Sequence, residues 1–171
     1  TGASSGIGHC LAKGLAAAGA KVVVAARRAD KLAELVLDIQ DAGGQALAVA
    51  MDVTDKQTIA AAYEQAEATF GTIDVIINNA GVADAKNFLK IDDESLDFVM
   101  NTNFGGVWHV AQEGAKRLVA ANKAGSIINI ASVLGITAKS GQTSYCASKG
   151  AVVQLTRAMS LDLMRNNIRV N

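Results

Sequence analysis

Short runs that are apolar almost throughout recur along the chain, and a longer stretch with helical spacing follows each one. The runs are AKVVVAA (20–26), QALAVAM (45–51), IDVIIN (73–78) and SIINIA (126–131), with NIRVN (167–171) as a partial last one. Helical patterns lie between them, near 7–18, 29–42, 55–70, 93–122 and 143–166. A strand apolar on both faces must be covered on both, and an intervening helix returns the next strand parallel to the last. The pattern therefore predicts an α/β protein with a doubly wound parallel sheet. No linker, repeat or low-complexity tract interrupts it, so a single domain over 1–171 is expected. The chain opens at Thr1 and stops at IRVN, a strand just begun, and it contains no proline. Average proline usage is about 5%, so both ends read as cut.

Composition excludes several function classes. Half of the residues are apolar and the formal net charge is +0, which argues against disorder and against an electrostatic footprint for nucleic acid or an acidic membrane. No apolar run reaches membrane-spanning length. Cys10 and Cys146 have neither framework nor metal spacing, so a reducing, cytoplasmic setting and no metal are expected. His9 and His109 sit in helical patterns without a partner at metal spacing.

In open parallel sheets ligands bind beyond the carboxyl ends of the strands. Polar residues collect there: Arg27 after the 20–26 run, Asp52 after 45–51, Asn79 after 73–78 and Ser132 after 126–131. TGASSGIG (1–8) carries glycines at 2, 6 and 8 and opens directly into a helical pattern. Such a loop lets backbone approach a pyrophosphate at a helix N-terminus; an ordinary Gly/Ser turn is the alternative. VVVAARR places Ala26 where NAD-binding folds use an acidic residue, and Arg27 and Arg28 follow. A guanidinium pairs with a ribose 2′-phosphate that a carboxylate would repel, so the sequence leans toward NADP(H). The alternative is a solvated helix start. Asp52 in MDVTD is a candidate partner for an adenine amino group, with helix capping as its rival and Thr54 or Asp55 the better caps. NNAG (78–81) reads either as an Asn-rich turn or as bracing beside a cofactor.

Leu96, Met100, Asn103, Val107 and Ala111 follow the rhythm of a buried helical face, and Asn103 is the polar intruder on it, with Gly105 and Gly106 weakening the helix just beyond. Ser132 ends INIAS, and Tyr145 follows thirteen residues later with Lys149 one helical turn on. A free tyrosine loses its proton near pH ~10 and is a poor base at neutral pH. A neighbouring cation favours the phenolate, and a serine hydroxyl beside it can polarise a carbonyl. An amphipathic face would explain Tyr145 and Lys149 alone, but not the constellation. This is chemistry for moving a proton while a nicotinamide moves the hydride.

Together TGASSGIG, the DV at 52–53, NNAG, Asn103 within NFGG, Ser132 and YCASK resemble the short-chain dehydrogenase/reductase family over essentially the whole chain. The resemblance implies a Rossmann-like sheet and a catalytic set of Asn103, Ser132, Tyr145 and Lys149. In it Tyr145 exchanges the proton with the substrate oxygen, Lys149 lowers the tyrosine's pKa and holds the nicotinamide ribose, Ser132 orients the substrate and Asn103 holds a water relaying to Lys149. It also implies cofactor contacts from Gly2, Ser4, Ser5, Gly6, Ile7, Gly8, Arg27, Asp52, Val53, Asn79, Ala80, Gly81, Tyr145 and Lys149. Family members carry a strand before the glycine loop and a substrate-covering segment after RVN. They form homodimers and homotetramers through the two long helices, where Trp108, Leu155 and Met159 are candidates for an interface or for core packing. The function expected is NADP(H)-dependent interconversion of a carbonyl and a secondary alcohol. NAD(H) use and a non-catalytic nucleotide-binding scaffold are the alternatives.

Overall fold

A computed structural model describes residues 1–171. It contains two compact units, Thr1–Ile73 and Asp74–Asn171. Each is built of parallel strands and covering helices, as the alternation of apolar runs and helical patterns predicts. No helix is long and apolar enough to cross a membrane.

The first unit runs α1 (Gly6–Ala17), β1 (Lys21–Ala26), α2 (Ala29–Asp41), β2 (Gln45–Ala50) and α3 (Lys56–Phe70). β1 and β2 pair in parallel, from Lys21 opposite Gln45 to Ala26 opposite Ala50. α2 buries Leu32, Leu35 and Ile39, which share one face at spacings of three and four residues. That face joins Ala12 and Ala16 of α1 and Val24 of β1 in one cluster. The small residues of α1 let its backbone come close, which sets the loop before it against the strand: the Ala3 amide donates to the Ala25 carbonyl at 3.3 Å. α3 starts at Asp55, whose carboxylate caps the Gln57 amide at 2.8 Å. The capping reading of this stretch therefore belongs to Asp55.

The second unit runs β3 (Val75–Asn78), α4 (Asp93–Met100), α5 (Gly106–Ala120), β4 (Gly125–Asn129), α6 (Thr143–Leu163) and β5 (Ile168–Val170). β4 lies between β3 and β5 and pairs in parallel with both. α4 begins where it does because Asp92 caps it: the Asp92 carboxylate accepts from the Ser95 amide at 2.7 Å. The single helix expected over 93–122 is interrupted by one π-helical turn, Asn101–Gly105.

The π turn corrects the expected buried stripe. Ser95, Val99, Asn103, Val107 and Ala111 form the buried stripe, with Gly106 and Val110 buried beside it, whereas Leu96 is 40% exposed. Steps of four residues drift by about 40° each in a pure α-helix, so five such positions would spiral off one face. A wider turn in the middle absorbs part of that drift and keeps Val99 and Val107 on the same side as Asn103.

Ile127 on the central strand is 0% exposed. Truncating it leaves a cavity that strands on both sides cannot collapse into. Ile127→Ala is expected to lower unfolding free energy in urea by about 2–5 kcal/mol.

Candidate active site

In the first unit the glycine loop leads straight into α1. Gly2 and Gly6 have φ of 66° and 57°, a left-handed region that is cheap only for glycine. Ser5 is the N-cap residue of α1 but makes no side-chain cap bond. The first-turn amides therefore keep their donors for another acceptor, and the helix dipole favours that acceptor being anionic. A guanidinium stands at the same loop. Arg28 donates through Nη2 to Ser4 Oγ and Ser5 Oγ, both at 3.0 Å, and through Nε to Ser4 Oγ at 3.3 Å. The donors and the charge fit a phosphorylated dinucleotide.

Arg27, favoured from sequence as the phosphate reader, is exposed at the end of β1. The Asp52 carboxyl is held below its ordinary range mainly by the Thr54 amide, with the Thr54 hydroxyl and the Arg27 charge adding to it against burial. Asp52 accepts from Thr54 N at 2.9 Å and Thr54 Oγ1 at 2.8 Å, so it shapes its own turn, with Val53 buried behind it. Arg28 is the member of the arginine pair that the sequence does not single out. Nothing in the pair distinguishes the two until α2 begins and turns Arg28 back toward the loop.

In the second unit Lys149 is 4% exposed, and its Nζ donates to the Ile130 carbonyl at 2.7 Å, just past β4. Nζ lies 5.8 Å from the centre of the Tyr145 ring. Spacing of four residues on α6 puts the two side chains one turn apart, as the sequence predicts. Burial pushes the Lys149 ammonium below its ordinary 10.5.

Asn103 is fully buried on the π turn. Its Nδ2 donates to Val82 O at 2.9 Å and to Ser148 Oγ at 3.0 Å, and its Oδ1 accepts from Val82 N at 2.8 Å. The side chain thus pairs with the Val82 backbone much as a neighbouring strand would. Ser148 passes its own proton to the Tyr145 carbonyl at 2.8 Å, which leaves Oγ to accept from Asn103. Neither Ser148 nor Val82 stands out in the sequence. A serine inside YCASK carries no sign of its partner until the π turn brings Asn103 to it.

Asn79 and Ala80 follow β3 directly, and Gly81 borders the site. A methyl group added at Gly81 would stand 3.3 Å from Asn103 Oδ1 and 3.6 Å from Lys149 Nζ. The space over Gly81 is therefore shared by an acceptor with a lone pair to spare and a donor with protons to spare. Ser132 follows β4 in extended conformation and accepts from the Leu134 amide at 3.1 Å, which closes the short turn Val133–Gly135. That leaves the Ser132 hydroxyl proton for donation. No cluster of His, Cys, Asp and Glu has metal-binding geometry.

The buried ammonium has a consequence for stability. Below both its folded and unfolded pKa values Lys149 is charged in both states, and the cost of burying it is fully present. Between the lowered value and 10.5 the unfolded chain binds more protons, so stability rises with pH. Urea unfolding of the wild type and Lys149→Met, compared from about pH 7 to about pH 10.5, should show the wild type gaining relative stability as pH rises.

Comparison with known proteins identifies the family and the fold. The short chain dehydrogenase family model matches residues 1–171. The 5-keto-D-gluconate 5-reductase of Escherichia coli K12 is 38% identical over 171 residues, covering 100% of this chain and 67% of the relative. A short-chain type dehydrogenase/reductase from Mycobacterium marinum superposes with a TM-score of 0.95 at 38% identity, covering 99% of this chain and 70% of that one. A gluconate 5-dehydrogenase from Burkholderia cenocepacia, solved with NADP and tartrate, gives 0.94 at 37% identity, covering 100% of this chain and 67% of that one. The chain thus spans about two thirds of the length of these relatives. With its parallel strands, its glycine loop and its Tyr145–Lys149 pair, the chain belongs to the short-chain dehydrogenase/reductase family of NAD(P)-dependent oxidoreductases.

Proposed function

We propose that the protein interconverts a carbonyl and a secondary alcohol with NADP(H), and that Tyr145 is its general acid and base. The observation that carries the reading is the seating of Lys149: a buried cation tied to Ile130 O and set 5.8 Å from the Tyr145 ring. A positive charge there stabilises negative charge developing on the phenol oxygen.

The nicotinamide, when bound, supplies or accepts the hydride. Gly2, Ser4, Ser5, Gly6, Ile7 and Gly8 would hold its phosphates with Arg27 and Arg28, and Asp52 and Val53 its adenine end. Asn79, Ala80, Gly81, Tyr145 and Lys149 would hold the nicotinamide half. Tyr145 gives its proton to the carbonyl oxygen during reduction and takes it from the hydroxyl during oxidation. Ser132 donates to the same oxygen and keeps it aimed at the phenol. Asn103 Oδ1 and Lys149 Nζ border the space over Gly81, where a water bridging them would return the proton to solvent.

Two features favour NADP(H). Arg28 already lies on the glycine loop, and solved relatives are described as complexes with NADP. The relatives named for gluconate and ketogluconate make hydroxy and oxo acids the first substrates to try. Exposed Val133 and Ile136 beside Ser132 add apolar ketones as the second class. A homodimer or homotetramer would use the outer face of α5, where Trp108 is 42% exposed.

Fluorescence titration with NADPH and NADH separately tests the cofactor. NADPH should bind selectively, and Arg28→Ala and Arg27→Asp should each weaken NADPH more than NADH. Equal or preferred NADH binding would overturn the NADP(H) assignment and leave the catalytic one standing. Binding of neither would return weight to a scaffold. Tyr145→Phe should lower kcat about 10²–10⁴-fold while NADPH affinity stays close to wild type.

A further inference from the structure

A second polar connection joins the sheet of the Asp74–Asn171 unit to α6, two helical turns beyond Lys149. Asn78, at the end of β3, donates from Nδ2 to Asn129 Oδ1 at 2.9 Å. Asn129, at the end of β4, donates from Nδ2 to Thr156 Oγ1 at 2.9 Å. Thr156 donates in turn to the Val152 carbonyl at 2.8 Å. Asn78 and Asn129 are 2% and 8% exposed, so water does not substitute freely for these partners.

The three donors run in one direction, and Thr156 sets that direction. Its single proton is committed to Val152, so toward Asn129 the hydroxyl can only accept. Asn129 must then present Nδ2 to Thr156 and Oδ1 to Asn78. Asn78 must answer with Nδ2, and its own Oδ1 is left buried without a partner.

The connection is placed where it can govern Lys149. Asn129 adjoins Ile130, whose carbonyl holds Lys149 Nζ. Thr156 lies seven residues after Lys149, two turns along the same helical face. α6 is thus fastened to two consecutive residues of one strand end, by a long side chain at Lys149 and a short one at Thr156. The short one fixes the helix along its axis; the long, flexible one cannot fix the helix alone and keeps its seat only while the helix stays in register.

We propose that Thr156 is a positioning residue: through Asn129 it holds α6 in register, so that Lys149 stays seated on Ile130 and in place behind Tyr145. The kinetic part of this rests on the function proposed above; the seating of Lys149 does not. Thr156→Val keeps the shape and removes the hydroxyl, whereas Thr156→Ser keeps the hydroxyl and removes the methyl. Acetic anhydride labelling read by mass spectrometry reports the seating, as the ratio of Lys149 to exposed Lys139. In Thr156→Val that ratio should rise several-fold and kcat should fall about tenfold or more with KM within about twofold, in line with the cost of small misplacements. Thr156→Ser should stay within about twofold of wild type in both. If Thr156→Val fails to fold by circular dichroism, Thr156→Ala takes its place. Wild-type labelling and kcat in the hydroxyl-less variant, or equal impairment of Thr156→Ser, would overturn the proposal. Should the wild type turn over no carbonyl, the proposed function fails and the labelling ratio alone decides this one.

Discussion

The hydrogen bond from Lys149 Nζ to the Ile130 carbonyl is the constraint around which the Asp74–Asn171 unit is organised. A lysine that is 4% exposed has given up most of its hydration, and one backbone oxygen at 2.7 Å replaces only part of it. Nζ also borders the space over Gly81, 3.6 Å from where a methyl group there would stand, so the site has an electrostatic demand built into it before any ligand arrives. A side chain at position 81 would stand against Asn103 Oδ1 and Lys149 Nζ and fill that space.

Asn103 solves a related problem with backbone in place of charge. The loop after β3 has no strand beside it at Val82, and its amide and carbonyl would otherwise be left for solvent. A carboxamide matches a peptide group donor for acceptor, so one side chain satisfies both. The second Nδ2 proton then has to go somewhere, and Ser148 accepts it while binding the Tyr145 carbonyl. A loop, a helix turn and the first turn of α6 are in this way tied through three polar groups, each leaving few alternatives to the next.

Much of this is legible in the sequence, and the part that is not has a common cause. The strands and helices announce themselves by apolar runs and spacing, Asn103 as a polar intruder on a buried stripe, Ser132 by following a strand run, and Tyr145 and Lys149 by standing one helical turn apart in company with the other two. The pairing of Arg28 with Ser4 and Ser5, of Ser148 with Asn103 and of Asn129 with Thr156 is not legible. Each joins residues more than 20 positions apart, through side chains whose types are common on any surface. Leu96 fails for a different reason: its expected burial assumes an unbroken helix, and the wider turn at Asn101–Gly105 moves the buried stripe to Ser95 and Val99.

That wider turn has a meaning for how the site could have arisen. A π turn is, in effect, an α-helix that has accepted one more residue without lengthening its register to the core. Removing a residue between 101 and 105 would return the segment to α geometry and leave Val99 and Val107 seven residues apart, still within about 20° of one face. The core on either side would still fit, but the wide turn that carries Asn103 to Val82 would be gone. The extra residue is therefore held by the site and not by the core: the hydrophobic packing would tolerate its loss, and only the partners of the amide at 103 make that loss costly.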